Sequence, residues 1–375
     1  MYGTVLKSLG GSSSENWRGG RAGDDSIKKK NMLRRMACLR RRGSSVGLQL
    51  SLMCTLAHGK TVPPVHMIFG AANIPHPEKA EKYGEDAYFF DDHTGAFALA
   101  DGVGGSASKD VDPGLFSREM LRTCHSAAAR KCEGSLQAVL EEAAAQELLL
   151  GGSATLLLGR LQSDSLCLLN LGDSGAMVLR PSFRKFRSGN FFWPRVVLRS
   201  QDQTHYFNCP YQVAAEDFDS VATRVDRVSV DVQEGDILVA ATDGVLDNLF
   251  DKQIQIAVAQ ALPQLRSEVP EEAQAAVDDL AASIARMAHE MGLRQDEEGL
   301  HTPFAVAAAE EGYRFDGGKL DDVAIVCGLV RSGTRPPIRI GHNFEGATAL
   351  CEADGAQVHQ AATAVDEGPV ADDKK

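Results

Sequence analysis

AFALADGVGG, residues 96–105, carries five apolar residues into an acid and then into glycines. The apolar run reads as a β-strand, and Asp101-Gly102 as the turn that ends it. ILVAATDGVLDN (237–248) repeats the form and delivers Asp243, and GGKLDDVAIV (317–326) sets Asp321 and Asp322 beside an apolar run. A further acidic pair, Glu85-Asp86 in YGEDAYFF (83–90), opens a strand. One Asp-Gly alone is far more often a turn than a site. Several acids, each delivered by an apolar strand, make a stronger case. A carboxylate at a strand end is held by the sheet yet faces solvent, which suits a metal ligand. Glycine after it lets a backbone carbonyl approach a cation without a side chain in the way.

If these acids converge, electrostatics limits the outcomes. Two carboxylates about 4 Å apart repel by roughly 4 kcal/mol at an effective dielectric near 20. Four in one pocket either take up protons or bind cations. Oxygen-only ligands favour hard ions, Mg²⁺ or Mn²⁺, over zinc. Two such ions lower the pKa of a shared water and prepare it for in-line attack on phosphorus, with no nucleophilic Cys or Ser required.

Outward from these motifs, short β-type runs recur from about 65 to 330, among them SATLLLGRL (153–161), SLCLLNLG (165–172) and VSVDV (228–232). Helical text comes in two blocks. One spans about 116–150 with a break at Gly134, and the other spans 251–266 and 271–291, with Pro270 placed for a helix start. Paired helices between groups of strands are not a β-α-β alternation, so the fold class expected is α+β. PSFRKFRSGNFFWPR (181–195) reads as an extended hairpin loop, either a surface flap or a docking surface for an acidic or phosphorylated partner. Three regions are expected: a disordered basic arm or targeting segment at 1–61, a catalytic domain at 62–332, and a disordered acidic tail at 333–375.

With 43% hydrophobic and 24% charged residues, the chain can bury a sizeable core without a disulfide or structural metal. A formal net charge of -12 argues against nucleic-acid binding, which needs a basic face. None of the eight cysteines forms a C-x-x-C pair, which fits a reducing compartment. No apolar run reaches the length of a membrane span. KKKNMLRRMACLRRR (28–42) gives the arm a transit-peptide flavour that Glu15, Asp24 and Asp25 dilute.

Taken in order, GEDA (84–87), ADGVGG (100–105), GGSAT (151–155), NLGDSG (170–175), ATDGVLDN (241–248) and GKLDDVAIV (318–326) resemble the type 2C metal-dependent protein phosphatases. The resemblance implies a four-layer α-β-β-α sandwich with two central antiparallel sheets. It also implies a two-ion Mg²⁺ or Mn²⁺ centre hydrolysing phosphoserine and phosphothreonine in phosphoprotein substrates, without a covalent intermediate. One ion would be held by Glu85, Asp101 and the Gly102 carbonyl, and the other by Asp101, Asp243 and Asp321. Asp86 would bind through water, and Asp173 would help a third ion. Asp322 stands where many members carry Asn and is a neighbour rather than a ligand. THYFNCPYQ (204–212) and IPHPEKAEKYGEDAYF (74–89) look like a compact branch from mitochondria and plastids, so an organelle is expected, and otherwise the cytoplasm. A monomer is expected.

Two departures stand out. The position that carries a phosphate-binding Arg in animal-type members is Glu81, with Lys79 or Lys82 as substitutes. Val103 stands where those members have a His. Leaving-group protonation would then fall to a metal-bound water or to His205, although His205 reads first as a buried packing histidine. G-x-G-x-x-A at 102–107 fits a dinucleotide loop loosely, but Asp101 would face the pyrophosphate. GDSG (172–175) is similar to a trypsin-like nucleophile segment, but the helical blocks and the missing Ala-His-Cys segment oppose that. The rival from another class is a catalytically silent phosphatase fold used as a binding module, and the complete set of acids argues against it.

Overall fold

The computed structural model describes residues 64–360 except 105–111, 132–133, 148–151, 187–188, 215–222, 334, 336, 346 and 353–358. All of these fall in one unit, residues 63–375. The arm at 1–61 and its targeting reading lie outside the described residues, as does the chain beyond 360.

Two antiparallel sheets organise the unit. The first has the order β1-β14-β13-β7-β8, with β1 Val65–Ile74, β7 Gly175–Phe186, β8 Gly189–Arg199, β13 Ile237–Ala241 and β14 Val323–Ser332. The second has the order β12-β6-β5-β3-β2-β15-β16-β17. Its strands are β2 Asp86–Asp91, β3 Ala96–Asp101, β5 Leu156–Gln162, β6 Ser165–Leu171 and β12 Asp226–Asp231, then β15 Arg339–Glu345, β16 Ala347–Glu352 and β17 His359–Gln360. Short strands β4 Ser153–Ala154, β9 Thr204–Tyr206, β10 Cys209–Pro210 and β11 Val213–Ala214 pair locally. The helices are α1 Pro113–Arg130, α2 Leu136–Glu147, α3 Asp243–Leu246, α4 Asp251–Leu265, α5 Pro270–Gly292 and α6 Pro303–Glu310. None among the described residues is long and apolar enough to cross a membrane.

Strand parity explains the layering. On β13, Ile237, Val239 and Ala241 join α4 and α5 in one apolar cluster, while Leu238 and Ala240 join a second cluster between the sheets. On β3, Phe97 and Leu99 enter that middle cluster, while Ala96, Ala98 and Ala100 pack beneath α1 and α2. Strands buried on both faces read as continuous apolar runs rather than alternating ones. Three apolar layers between four layers of structure make the α-β-β-α sandwich, as the resemblance implied.

The same parity aims the acids. Asp101 continues the Phe97–Leu99 face, and Asp86 continues the Tyr88–Phe90 face, so both face the gap between the sheets. They sit directly opposite each other in the β2–β3 register.

Three expectations are corrected. The boundary at 332 falls short of the end of the sheet, because β15 pairs with β2, Ile340 opposite Asp91 and His342 opposite Phe89. Asn343 accepts from Tyr88 N at 2.9 Å and donates to Asp86 O at 3.0 Å, and Arg339 forks onto Asp278 at 3.0 and 3.1 Å. The segment 181–195 is not a loop between strands but the continuation of both, in register from Pro181–Pro194 to Phe186–Gly189. Phe183 and Phe192 meet edge-on at 5.7 Å, and Arg266 lies 4.1 Å over Phe192. His205 is exposed rather than buried, tilted against the Tyr211 ring at 4.4 Å. The strand that carries it, Thr204–Tyr206, is exposed throughout and offers the imidazole no core to enter.

Candidate metal centre

Four chain segments meet at one end of the two sheets: the starts of β2 and β14 and the ends of β3 and β13. The junctions are close enough to exclude side chains. Gly84 has φ +74, and a Cβ there would stand 2.4 Å from Asp322 Oδ1. At Gly244 a Cβ would lie 1.9 Å from the Asp322 carbonyl oxygen. Only glycine allows this backbone contact.

Two hydroxyls join the motifs. Thr242, one residue beyond β13, donates from Oγ1 to Asp86 Oδ2 at 2.7 Å, so the first sheet holds an acid of the second. Thr155, the last residue of GGSAT, accepts from Asp101 N at 3.1 Å and shares a 3.0 Å hydrogen bond with Ser174 of GDSG. Gly102 follows Asp101, forms a bridge with Ala154 and donates to Glu85 O at 3.2 Å.

Asp322 is a clamp. Its Oδ1 accepts from His76 N at 2.7 Å, and its Oδ2 accepts from Glu85 N and Lys79 Nζ, both at 3.1 Å. This fastens the 3-10 turn Pro77–Lys82 and the Glu85 backbone to the start of β14.

Two ammonium groups stand among the carboxylates. Lys79 Nζ lies 2.5 Å from Glu85, 3.1 Å from Asp322 and 3.9 Å from Asp321. Lys319 Nζ lies 2.5 Å from Asp243, 2.7 Å from Asp247 and 3.4 Å from Asp321. Asp321 therefore touches both. Burial opposes the Lys319 charge, but Asp243, Asp247 and Asp321 outweigh it and hold its pKa well above the usual lysine range.

The acids bear the cost of crowding. Burial, then repulsion from Asp322, Asp243 and Asp321, raises the Asp86 carboxyl well above the ordinary range, against the Thr242 hydrogen bond. Burial raises Asp101 likewise, with Asp243, Asp86, Asp321 and Asp173 adding to it. Asp173 is pushed up to about 8 by burial and by Asp243 and Asp247, and Asp247 up to about 7, chiefly by burial. Asp86 Oδ1 and Asp173 Oδ1 are buried without a hydrogen-bond partner. Such oxygens want a proton or a cation.

Tested against a divalent pair, the donor set fits. It is all oxygen, two buried oxygens are unused, and two ammonium groups already stand in for positive charge. Among the described residues no three His, Cys, Asp or Glu side chains are drawn into one ligating group. Of the expected residues, Glu85, Asp86, Asp101, Gly102, Asp243 and Asp321 converge here. Asp173 joins them electrically through Asp243 and Asp247. Lys82 does not: its side chain is 76% exposed and faces Asp112 at 3.8 Å, whereas Lys79 enters the cluster. Glu81 is exposed. Sequence reasoning did not single out Lys319 or Asp247. The signals were present, Lys319 two residues before Asp321 and Asp247 one helical turn after Asp243.

No protein-family model matches the chain. It is 36% identical over 273 residues to Probable protein phosphatase 2C 80 of Arabidopsis thaliana, covering 72% of this chain and 59% of that protein. It is 32% identical over 284 residues to Probable protein phosphatase 2C 1 of Oryza sativa subsp. japonica, covering 71% and 76%. With Probable protein phosphatase 2C 26 of Arabidopsis thaliana it shares 30% over 287 residues, covering 72% and 86%. The chain spans about half the length of several curated relatives it matches, 59% of 2C 80 and 52% of 2C 55. Among solved structures, the X-ray structure of the photosystem II phosphatase PBCP aligns with a TM-score of 0.58 at 29% identity, covering 70% of this chain and 98% of that one.

Proposed function

The chain belongs to the protein phosphatase 2C family, and from that premise we propose that it is a metal-dependent serine/threonine protein phosphatase acting on phosphoproteins. The observation that carries this reading is the convergence of acids from both sheets: Glu85, Asp243 and Asp321 around two ammonium groups, and Asp101 within the field of Asp86, Asp243 and Asp321. Glu85, Asp101 and the Gly102 carbonyl would hold one Mg²⁺ or Mn²⁺ ion, and Asp101, Asp243 and Asp321 a second. Bound there, such a pair lowers the pKa of water and neutralises charge on the phosphoryl oxygens.

The chain's own part is placement. Thr242 fixes one oxygen of Asp86 and leaves the other unpaired for water or an ion. Asp173, near Asp243 and Asp247, is the candidate for a further ion. No side chain has to attack the phosphorus. Ser174 is fully buried and tied to Thr155, which removes it as a nucleophile. No observation favours the silent binding module, since each expected acid stands in the cluster.

The test is hydrolysis of a phosphoserine peptide by the full chain. Activity is expected with Mn²⁺ and none in excess chelator, and full activity in chelator would overturn the assignment. For location, likeness to the photosystem II phosphatase PBCP supports a plastid. A fluorescent fusion of the full chain is expected in an organelle, and a diffuse cytosolic signal would count against that.

A further inference from the structure

The two lysines are not placed alike by accident of charge. Each touches carboxylates expected to hold a cation, and each also touches one acid that is not. Lys79 bridges Glu85 and Asp321 and rests on Asp322, whose side chain is 2% exposed. Lys319 bridges Asp243 and Asp321 and rests on Asp247. Lys79 thus stands against Glu85 of one proposed ion and Asp321 of the other, Lys319 against Asp243 and Asp321 of the second, and each keeps a private acid beside it.

Both are anchored at the backbone rather than along the side chain. Lys319 is gripped at its backbone by Asn248, which accepts from Lys319 N at 3.0 Å and donates to Lys319 O at 2.8 Å. Its ammonium lies 5.1 Å from the Phe304 ring centroid. Lys79 belongs to the 3-10 turn, whose preceding His76 is bonded to Asp322. Four rotatable bonds carry each ammonium beyond these anchors.

From this geometry we infer that Lys79 and Lys319 are internal counter-ions that compete with the metal ions. In the metal-free chain they hold the carboxylates together. When a cation takes Glu85, Lys79 withdraws onto Asp322, and when one takes Asp243 and Asp321, Lys319 withdraws onto Asp247. The lysines thus weaken metal binding and spare the metal-free fold from the repulsion of its own acids. The inference rests on the cation-binding reading above.

Two readouts test it without measuring turnover: the Mn²⁺ dissociation constant of the full chain, from the electron paramagnetic resonance signal of free Mn²⁺, and the melting temperature in chelator. Lys79→Met is expected to bind Mn²⁺ about tenfold tighter and to melt lower in chelator than the parent. Lys79→Arg keeps the charge and is expected to return affinity towards the parent value. Lys82→Met removes the same charge from outside the cluster and is expected to leave the constant within twofold. Asp247→Asn takes away the refuge of Lys319 and is expected to weaken Mn²⁺ binding severalfold. An unchanged or weaker constant in Lys79→Met, or equal tightening in Lys82→Met, overturns the inference while leaving the metal centre standing. Failure of the parent to take up Mn²⁺ overturns both.

Discussion

Asp101→Asn loses turnover by on the order of a thousandfold, yet yields a folded protein that melts higher than the parent in chelator. The two halves of this result have one cause. Asp101 ends β3 opposite Asp86 and feels Asp243, Asp86, Asp321 and Asp173 as like charges. Asparagine keeps the shape and leaves the backbone hydrogen bonds to Thr155 intact. It removes the charge that both ions are proposed to share. Losing roughly 4 kcal/mol of transition-state stabilisation is on the order of a thousandfold in rate. Removing one repelling carboxylate returns about 1 kcal/mol to the metal-free fold. The checks are turnover at saturating Mn²⁺ and melting in chelator. A variant keeping a tenth of the parental rate, or melting below the parent, would refute the role given to Asp101.

Ending the chain at residue 336 destabilises the unit by roughly 5 kcal/mol or more, comparable with the whole stability of many domains. The loss arises from what β15 does for β2. Without it, Tyr88 N loses its 2.9 Å acceptor and Asp86 O its 3.0 Å donor, both from Asn343. Asp92 loses the Arg339 N–H at 3.1 Å, although burial already pushes its carboxyl up to about 7. Asp278 loses its guanidinium partner, and the helix-side cluster loses Phe344. Each buried polar group left unpaired costs about 1–3 kcal/mol. Urea unfolding of chains ending at 336 and at 360 compares the two directly. Midpoints that coincide would mean the strand adds nothing.

The sequence made the acids visible because an apolar strand runs straight into Asp101 and, after Thr242 alone, into Asp243, each followed by a glycine. Parity then places Asp86 and Asp101 on one face as soon as β2 and β3 are paired. β15 stayed hidden because both its faces mix polar and apolar residues, Arg339, Gly341 and Asn343 on one and Ile340, His342 and Phe344 on the other, so no apolar alternation marks it. Gly341 is needed there: a Cβ would stand 2.3 Å from the Phe90 ring. Asp112 and Pro113 start α1 three residues before the helical text becomes apolar. Asp112 accepts from Gly114 N and Leu115 N and so caps the helix ahead of its apolar text. Lys79 and Lys82 are alike as candidates in the sequence and Lys319 is not singled out there, and only the fold turns the Lys79 and Lys319 ammonium groups inward.

The hydrogen bond from Thr242 to Asp86 crosses from one sheet to the other, so the centre straddles a seam. Its halves keep their spacing only while the aromatic filling of the middle layer, Phe69 stacked at 5.7 Å on Phe90 and tilted at 5.6 Å to Phe97, keeps the sheets at one separation. That filling works as a spacer for the chemistry. A slightly thinner or thicker ring layer would misalign the acids of one sheet with those of the other long before the sandwich came apart.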